Sequence, residues 1–231
     1  MPIHAVLFDL DNTLFDHQGS ARKGLDSFLR LVGTAPSEDL ERSWFDIERQ
    51  TYDRFLANGL SFQEQRRERL RQFLPLAGID IPAAGAKLDE LFGAYLQDYK
   101  QAWTAFPDAL PALQRLRAAG VPVGVITNGN HEQQTSKIKR IGLGPLLHHV
   151  FSSEQTGYAK PAAGAFLDPC KSMGLPAAET LYVGDNYVTD VAGARQAGLQ
   201  AIHLDRDGDG ANGSIQSLAD LFQLTGHQVP A

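Results

Sequence analysis

Cysteine is almost absent: Cys170 is the only one in 231 residues. An internal disulfide is therefore excluded, and a reducing compartment is expected. No apolar run is long enough to span a bilayer. Positive charge is not in excess either, because the net charge is -6. Such a chain is a poor general binder of nucleic acid or anionic membrane. The opening Met1-Pro2-Ile3-His4 lacks the basic and long apolar parts of a secretion signal. Repeats and low-complexity tracts are missing too. The expectation is a soluble, cytoplasmic protein with neither nucleic acid nor membrane as partner. Oligomeric state is not legible. What the chain does have is a 43% hydrophobic content, enough for a real core. Its length suits one core domain with a smaller insert.

Five short segments read as buried strands: 3–9, 121–127, 149–152, 180–184 and 200–204. Most are apolar runs rich in β-branched residues and ended by turn formers. Helical patterns separate them. Over 108–119, Leu110, Leu113 and Leu116 recur at three-residue spacing before Gly120. Residues 132–141 read as helix. So do 189–197, with Thr189 as N-cap and Gly198 beyond the end. Continuous apolar strands alternating with helices predict an α/β fold, a parallel sheet covered on both faces. Between 16 and 105 no strand is visible. Stretches 37–56, 62–76 and 86–103 read as helices punctuated by Gly and Pro. The expected organisation is a core of 1–15 and 106–231 interrupted by an α-helical cap, 16–105.

In parallel sheets, ligands bind beyond the carboxyl ends of the strands. The first strand ends in Asp9 and Asp11, the second in Thr127-Asn128-Gly129 and the fourth in Gly184-Asp185. Lys160 follows the third, just before Pro161. Asp9 and Asp11 lie two apart along an extended segment, so they share a side. Two close carboxylates repel and call for a cation. With Asp185 they suit a hard, oxygen-liking ion, and phosphate chemistry favours Mg²⁺. Thr127, Asn128 and Gly129 place donors at a strand-to-helix turn, where an oxyanion is readily held. Lys160 adds positive charge. Each element has a plainer reading alone: Asp-Leu-Asp-Asn as a loop start, Asn-Gly as a turn, Lys160 as a solvated side chain. Their common place at strand ends is what favours a site.

The chain resembles the phosphatase branch of the haloacid dehalogenase superfamily. Four motifs carry the likeness: Asp9-Leu10-Asp11-Asn12-Thr13-Leu14, Ile126-Thr127-Asn128-Gly129, Lys160-Pro161, and Gly184-Asp185-Asn186-Tyr187-Val188-Thr189-Asp190. The first and last are specific, and the helical insert after the first matches the subgroup with an α-helical cap. The resemblance implies a Rossmann-like sheet in the order 5-4-1-2-3. It further implies Asp9 as a nucleophile that becomes an aspartyl-phosphate, and Asp11 as general acid and base. Mg²⁺ would be held by Asp9, the main-chain carbonyl of Asp11 and Asp185. Thr127, Asn128 and Lys160 would hold phosphoryl oxygens, and Asp190 would orient Lys160 or a metal-bound water. The substrate class implied is a small phosphorylated metabolite, such as a sugar phosphate or nucleotide. Asn12 stands where this family often has Gly. A carbon-dehalogenating member needs neither metal nor leaving-group acid and resembles the chain less at Asp11. A phosphoacceptor signalling domain would share the acids, Thr and Lys, but would gain nothing from Asp11 or the insert.

Other features stay minor. Asp205, Asp207, Asp209 and Gly210 have the spacing that begins an EF-hand loop, but Gln216 replaces its bidentate Glu, so a solvated loop is expected. Arg66, Arg67, Arg69 and Arg71 read as a solvated helix face. His17, Arg22 and Lys23 follow the first motif and are candidates to face a leaving group. Cys170 reads as a small buried residue, and Pro169 predicts a kinked or short helix.

Overall fold

A computed structural model describes residues 3–57, 59–208 and 213–224. The chain divides into two compact units, Met1–Asp16 with Thr104–Ala231, and His17–Trp103.

The first unit is built on five strands: β1 (Ala5–Phe8), β2 (Val123–Thr127), β3 (His149–Ser152), β4 (Thr180–Gly184) and β5 (Gln200–His203). They form one parallel sheet in the order β3-β2-β1-β4-β5. All five expected strands are present, and this is the 5-4-1-2-3 order. The three central strands are buried at every residue, whereas β3 and β5, at the edges, are partly exposed. That is why the centre reads as unbroken apolar runs. One face packs Leu7, Ile126 and Tyr182 against Phe166, Val191, Ala194 and Cys170. Burial of each large apolar side chain contributes roughly 1.5–3 kcal/mol. Cys170 is buried and free, as expected.

The second unit holds α1 (His17–Leu31), α2 (Glu38–Leu56), α3 (Phe62–Leu76) and α4 (Gly85–Gln101). Ser37 and Ser61 cap α2 and α3 by accepting from Leu40 N and Glu64 N, leaving fewer orphan donors at those helix starts. Trp44 is fully buried. Its ring centroid lies 4.7 Å from Tyr95 and 4.9 Å from Phe73. Helix α1 escaped the sequence reading, since Gly19 and Gly24 weaken its pattern. Gly24 has a packing reason: a Cβ there would meet the Tyr99 backbone N at 3.0 Å, so it lets α1 and α4 approach closely.

The remaining helices belong to the first unit. They are α5 (Ala109–Ala118), α6 (His131–Arg140), α7 (Ser153–Thr156), α8 (Gly164–Ser172), α9 (Gly193–Gln196) and α10 (Leu221–Leu224). Pro169 lies inside the nine-residue α8. The expected helix over 189–197 is corrected at its start. A π-helical turn, Tyr187–Ala192, precedes α9, and the cap is Asn186 rather than Thr189. Asn186 Oδ1 accepts from both Val188 N and Thr189 N. Starting three residues earlier places the turn directly after Asp185.

The arginine run is also corrected. Arg69 is buried and pairs with Glu48 at 2.6 Å; Arg67 pairs with Asp89, and Arg71 with Glu64. The expected solvated face is thus overturned at Arg69, while Arg67 and Arg71 stay at the surface of the helical unit, paired with neighbouring acids. His17 meets Tyr99 OH at 2.9 Å, and Arg22 meets Glu41 at 2.5 Å, within the same unit. Arg206 is no bystander in a solvated loop: it grips Asp108 and donates to the carbonyls of Thr13 (2.8 Å) and Asn12 (3.4 Å). Asp209 and Gly210, which the EF-hand spacing requires, lie outside the described residues.

Candidate active site

Asp9 is the first residue beyond β1, and its N–H donates to Val183 O, so the chain is still held to β4 where the nucleophile candidate emerges. Leu10 O then accepts from the N–H groups of Thr13, Leu14 and Phe15, folding the segment back. Asn12 makes the reversal at φ 61°. That left-handed region is tolerated by Gly and, among other residues, best by Asn and Asp. Glycine and asparagine thus both suit this backbone conformation.

Lys160 reaches in from the segment between α7 and α8. Its Nζ donates to Asp9 Oδ1 at 2.5 Å, Asp190 Oδ1 at 2.7 Å and Tyr182 OH at 2.9 Å. Lys160, Asp9 and Asp190 are all buried. Burial disfavours the ammonium, but Asp190 and Asp9 outweigh it and hold Lys160 well above the ordinary lysine range. Asp190 Oδ2 accepts from Asn186 N. A Cβ on Gly184 would collide with the Asp190 carboxylate, so glycine is what admits it.

Burial raises Asp9 well above its usual value. Lys160 opposes this, and the carboxylates of Asp190, Asp185 and Asp11 add to it. Asp185 is raised to about 6, by burial first and then by Asp190. Oxygens of Asp9, Asp185 and Asp190 lie within 4.8 Å of one another. Three carboxylates with one ammonium between them carry more negative charge than is neutralised. All the donors are oxygens, as a hard divalent cation requires. The residues therefore fit Mg²⁺. The Asp11 side chain is not in this group; its Oδ1 accepts from Lys137 at 2.5 Å and its Oδ2 from Gln134 at 2.8 Å.

Thr127 ends β2 and is buried, with its hydroxyl 2.5 Å from Gln134 Nε2. The Asn128 side chain has a use that sequence reasoning did not assign. Its Oδ1 accepts from Lys160 N at 2.8 Å and its Nδ2 donates to Lys160 O at 3.0 Å. It positions the lysine by the main chain on both sides. Asp9, Asp11, Thr127, Asn128, Lys160, Asp185 and Asp190 thus converge at the carboxyl end of the sheet. Gln134, Lys137, Tyr182 and Arg206 were missed. Gln134 and Lys137 were three apart on a legible helix, but nothing local marked that face as buried.

A parallel sheet in this order with carboxylates and a lysine gathered beyond its strand ends defines a doubly wound α/β protein, with the candidate site where such sheets bind ligands. The family model for haloacid dehalogenase-like hydrolases matches residues 3–198, and the chain belongs to that family. It is 29% identical to ribulose-1,5-bisphosphate 5-phosphatase of Halopiger xanaduensis, over 87% of this chain and 84% of that one. It is also 29% identical to glyceraldehyde 3-phosphate phosphatase of Methanopyrus kandleri, over 88% and 84%. The relatives include (S)-2-haloacid dehalogenase H-109 of Pseudomonas putida, at 27% over 90% and 88%. Among solved structures, YfnB of Bacillus subtilis, bound to magnesium, superposes with a TM-score of 0.82 at 23% identity. That match covers 98% of this chain and all of the other, and it speaks to the fold.

Proposed function

We propose that the protein is a Mg²⁺-dependent phosphomonoesterase that works through an aspartyl-phosphate on Asp9. Its substrate is a small phosphorylated metabolite, with sugar phosphates favoured by the activities of the two phosphatase relatives. The observation that carries this is the division of the two acids. Asp9 is buried against Lys160, Asp185 and Asp190, while Asp11, two residues on, is held separately by Lys137 and Gln134. In this reading one carboxylate attacks and the other handles protons.

Asp9 attacks phosphorus; its O–P bond forms as the bond to the leaving oxygen breaks. Asp11 gives that oxygen its proton, and the alcohol departs. Asp11 then takes a proton from water, the new P–OH bond forms, and the Asp9 O–P bond breaks to release inorganic phosphate. Lys160 and Thr127 hold phosphoryl oxygens during both transfers. Asp190 keeps Lys160 in place. Asp9, Asp185 and the Asp11 carbonyl would hold Mg²⁺, which would supply charge neutralisation between carboxylate and phosphate. The soluble, cytoplasmic setting expected from the sequence belongs to the same reading.

A second reading, a 2-haloacid dehalogenase, is favoured by the Pseudomonas putida relative. The two separate cleanly. Purified protein is assayed for phosphate release from a panel of phosphorylated metabolites with Mg²⁺, and for chloride release from 2-chloropropionate in chelator. Phosphate release abolished by chelator supports the phosphatase. Chloride release that survives chelation, with no phosphate released, refutes it.

A further inference from the structure

We propose that Lys137 and Gln134 of α6 are positioning residues for Asp11, fixing its carboxylate so that it meets the leaving oxygen. The inference rests on the phosphatase reading and goes beyond it, since it names which groups make Asp11 an effective proton donor.

Lys137 is 3% exposed, an uncommon state for a lysine. Taking an ammonium out of water costs several kcal/mol unless a partner compensates. The partner is Asp11 Oδ1 at 2.5 Å, and the Phe15 ring lies under the same nitrogen, 5.0 Å to its centroid. Gln134 is equally buried. Its Nε2 faces Asp11 Oδ2 at 2.8 Å, Thr127 Oγ1 at 2.5 Å and Asn128 O at 3.3 Å. Each oxygen of Asp11 therefore has its own donor on α6.

The helix makes this possible. Residues three apart share a face, and Asn130 fixes the start of α6 by accepting from Gln133 N at 3.0 Å. The Asp11 side chain itself is 30% exposed. The two donors hold it in one of its staggered rotamers. Gln134 also ties it to Thr127, linking the two side chains through one amide. The nucleophile is served by a different lysine from a different segment, Lys160.

A general acid works only within hydrogen-bond reach of its target, and a displacement of about 1 Å can cost about 10²-fold in rate. As Asp11 passes its proton to the leaving oxygen, the charge left behind is met by Lys137. An activated aryl leaving group departs without that proton; a basic one does not.

The test compares kcat/KM, which reports formation of the phospho-enzyme, for para-nitrophenyl phosphate and phenyl phosphate. Lys137→Met and Gln134→Ala are each measured against wild type. In Lys137→Met, the loss on phenyl phosphate is expected to exceed the loss on para-nitrophenyl phosphate by roughly tenfold or more. Gln134→Ala shifts the same way by less. Equal losses on both substrates, or no loss, overturn the proposal. Wild-type protein inert to both esters counts instead against the phosphatase reading. Crystal structures of the variants then decide the positioning: a displaced Asp11 carboxylate supports it, and an unmoved one overturns it.

Discussion

Asn128 holds Lys160 by both polar groups of its main chain, accepting from its N–H at 2.8 Å and donating to its carbonyl at 3.0 Å. The lysine ammonium then sits 2.5 Å from Asp9. Asn128→Ala leaves a largely buried N–H and carbonyl without these partners, at a cost of about 1–3 kcal/mol in stability. It also frees the segment carrying Lys160. The expectation is a lower urea midpoint together with a fall in kcat of about tenfold or more, as for loss of an aligned electrostatic donor. Asn128→Asp keeps the acceptor but turns a carboxylate oxygen on the Lys160 carbonyl, so it is expected to be impaired as well. Wild-type stability and rate in Asn128→Ala would refute this role.

Asn12 at φ 61° makes a simpler prediction. Asn12→Gly is expected to be close to neutral in stability, within about 1 kcal/mol, because glycine enters this region without strain. Asn12→Val places a β-branched residue there and is expected to cost about 1–2 kcal/mol or more. Thermal melts of both variants check the order, and a valine variant as stable as the glycine one would contradict it.

Asp185 predicts how metal and pH act together. Its folded-state value is about 6, against an ordinary 3.8. A raised acid binds its proton more tightly in the folded state. Its stabilising contribution is therefore present below about 3.8 and lost as pH rises through about 6. Metal-free protein is expected to lose stability across that window. Mg²⁺ reverses the loss, raising Tm at pH 7.5 by an amount corresponding to about 2.7 kcal/mol at a hundredfold excess over Kd. At pH 5 the shift is smaller. Differential scanning calorimetry with Mg²⁺ and with chelator measures both, and an equal shift at the two pH values would oppose the assignment.

Glu48 has the opposite sign. Burial raises it, but Arg69 and then His17 prevail and hold it far below its ordinary 4.5. Stability from this carboxylate is present above 4.5 and lost as pH falls below it. Glu48→Gln leaves buried Arg69 without its ionic partner, which typically costs about 3–5 kcal/mol. Hydrogen exchange in α2 and α3 is expected to speed up in that variant at neutral pH. In wild type, protection factors there, which correct for the slower intrinsic exchange in acid, are expected to fall as pH drops below 4.5. Unchanged protection in both cases would contradict the pairing.

The strands and their terminal acids were legible because a parallel sheet leaves a local trace. Its central strands are buried on both faces, so an Asp, Thr or Gly-Asp ending an apolar run stands out. Lys160 was legible by its place before Pro161, and its pairing with Asp190 was implied by the resemblance, but its contacts with Asp190 and Tyr182 could not be read from the residues alone. Those depend on the glycine at 184 and on the π-helical turn, where Asn186 rather than Thr189 sets the start. Lys137 and Arg69 were hidden for a shared reason. A charged residue on a helix reads as solvated unless its partner is known, and both partners, Asp11 and Glu48, come from distant sequence. Arg206 carried no local signal, because its partners, the Asp108 carboxylate and the carbonyls of Thr13 and Asn12, are distant in sequence.

The central claim is that phosphate passes through Asp9. The most direct test uses Asp11→Asn, which lacks the group that activates water, mixed with para-nitrophenyl phosphate and Mg²⁺ and quenched in acid. Peptide mass spectrometry is expected to find a phosphoryl adduct on Asp9, absent from the Asp9→Asn, Asp11→Asn double variant. An adduct on another residue, or full phosphate release by Asp9→Asn alone, would contradict the account.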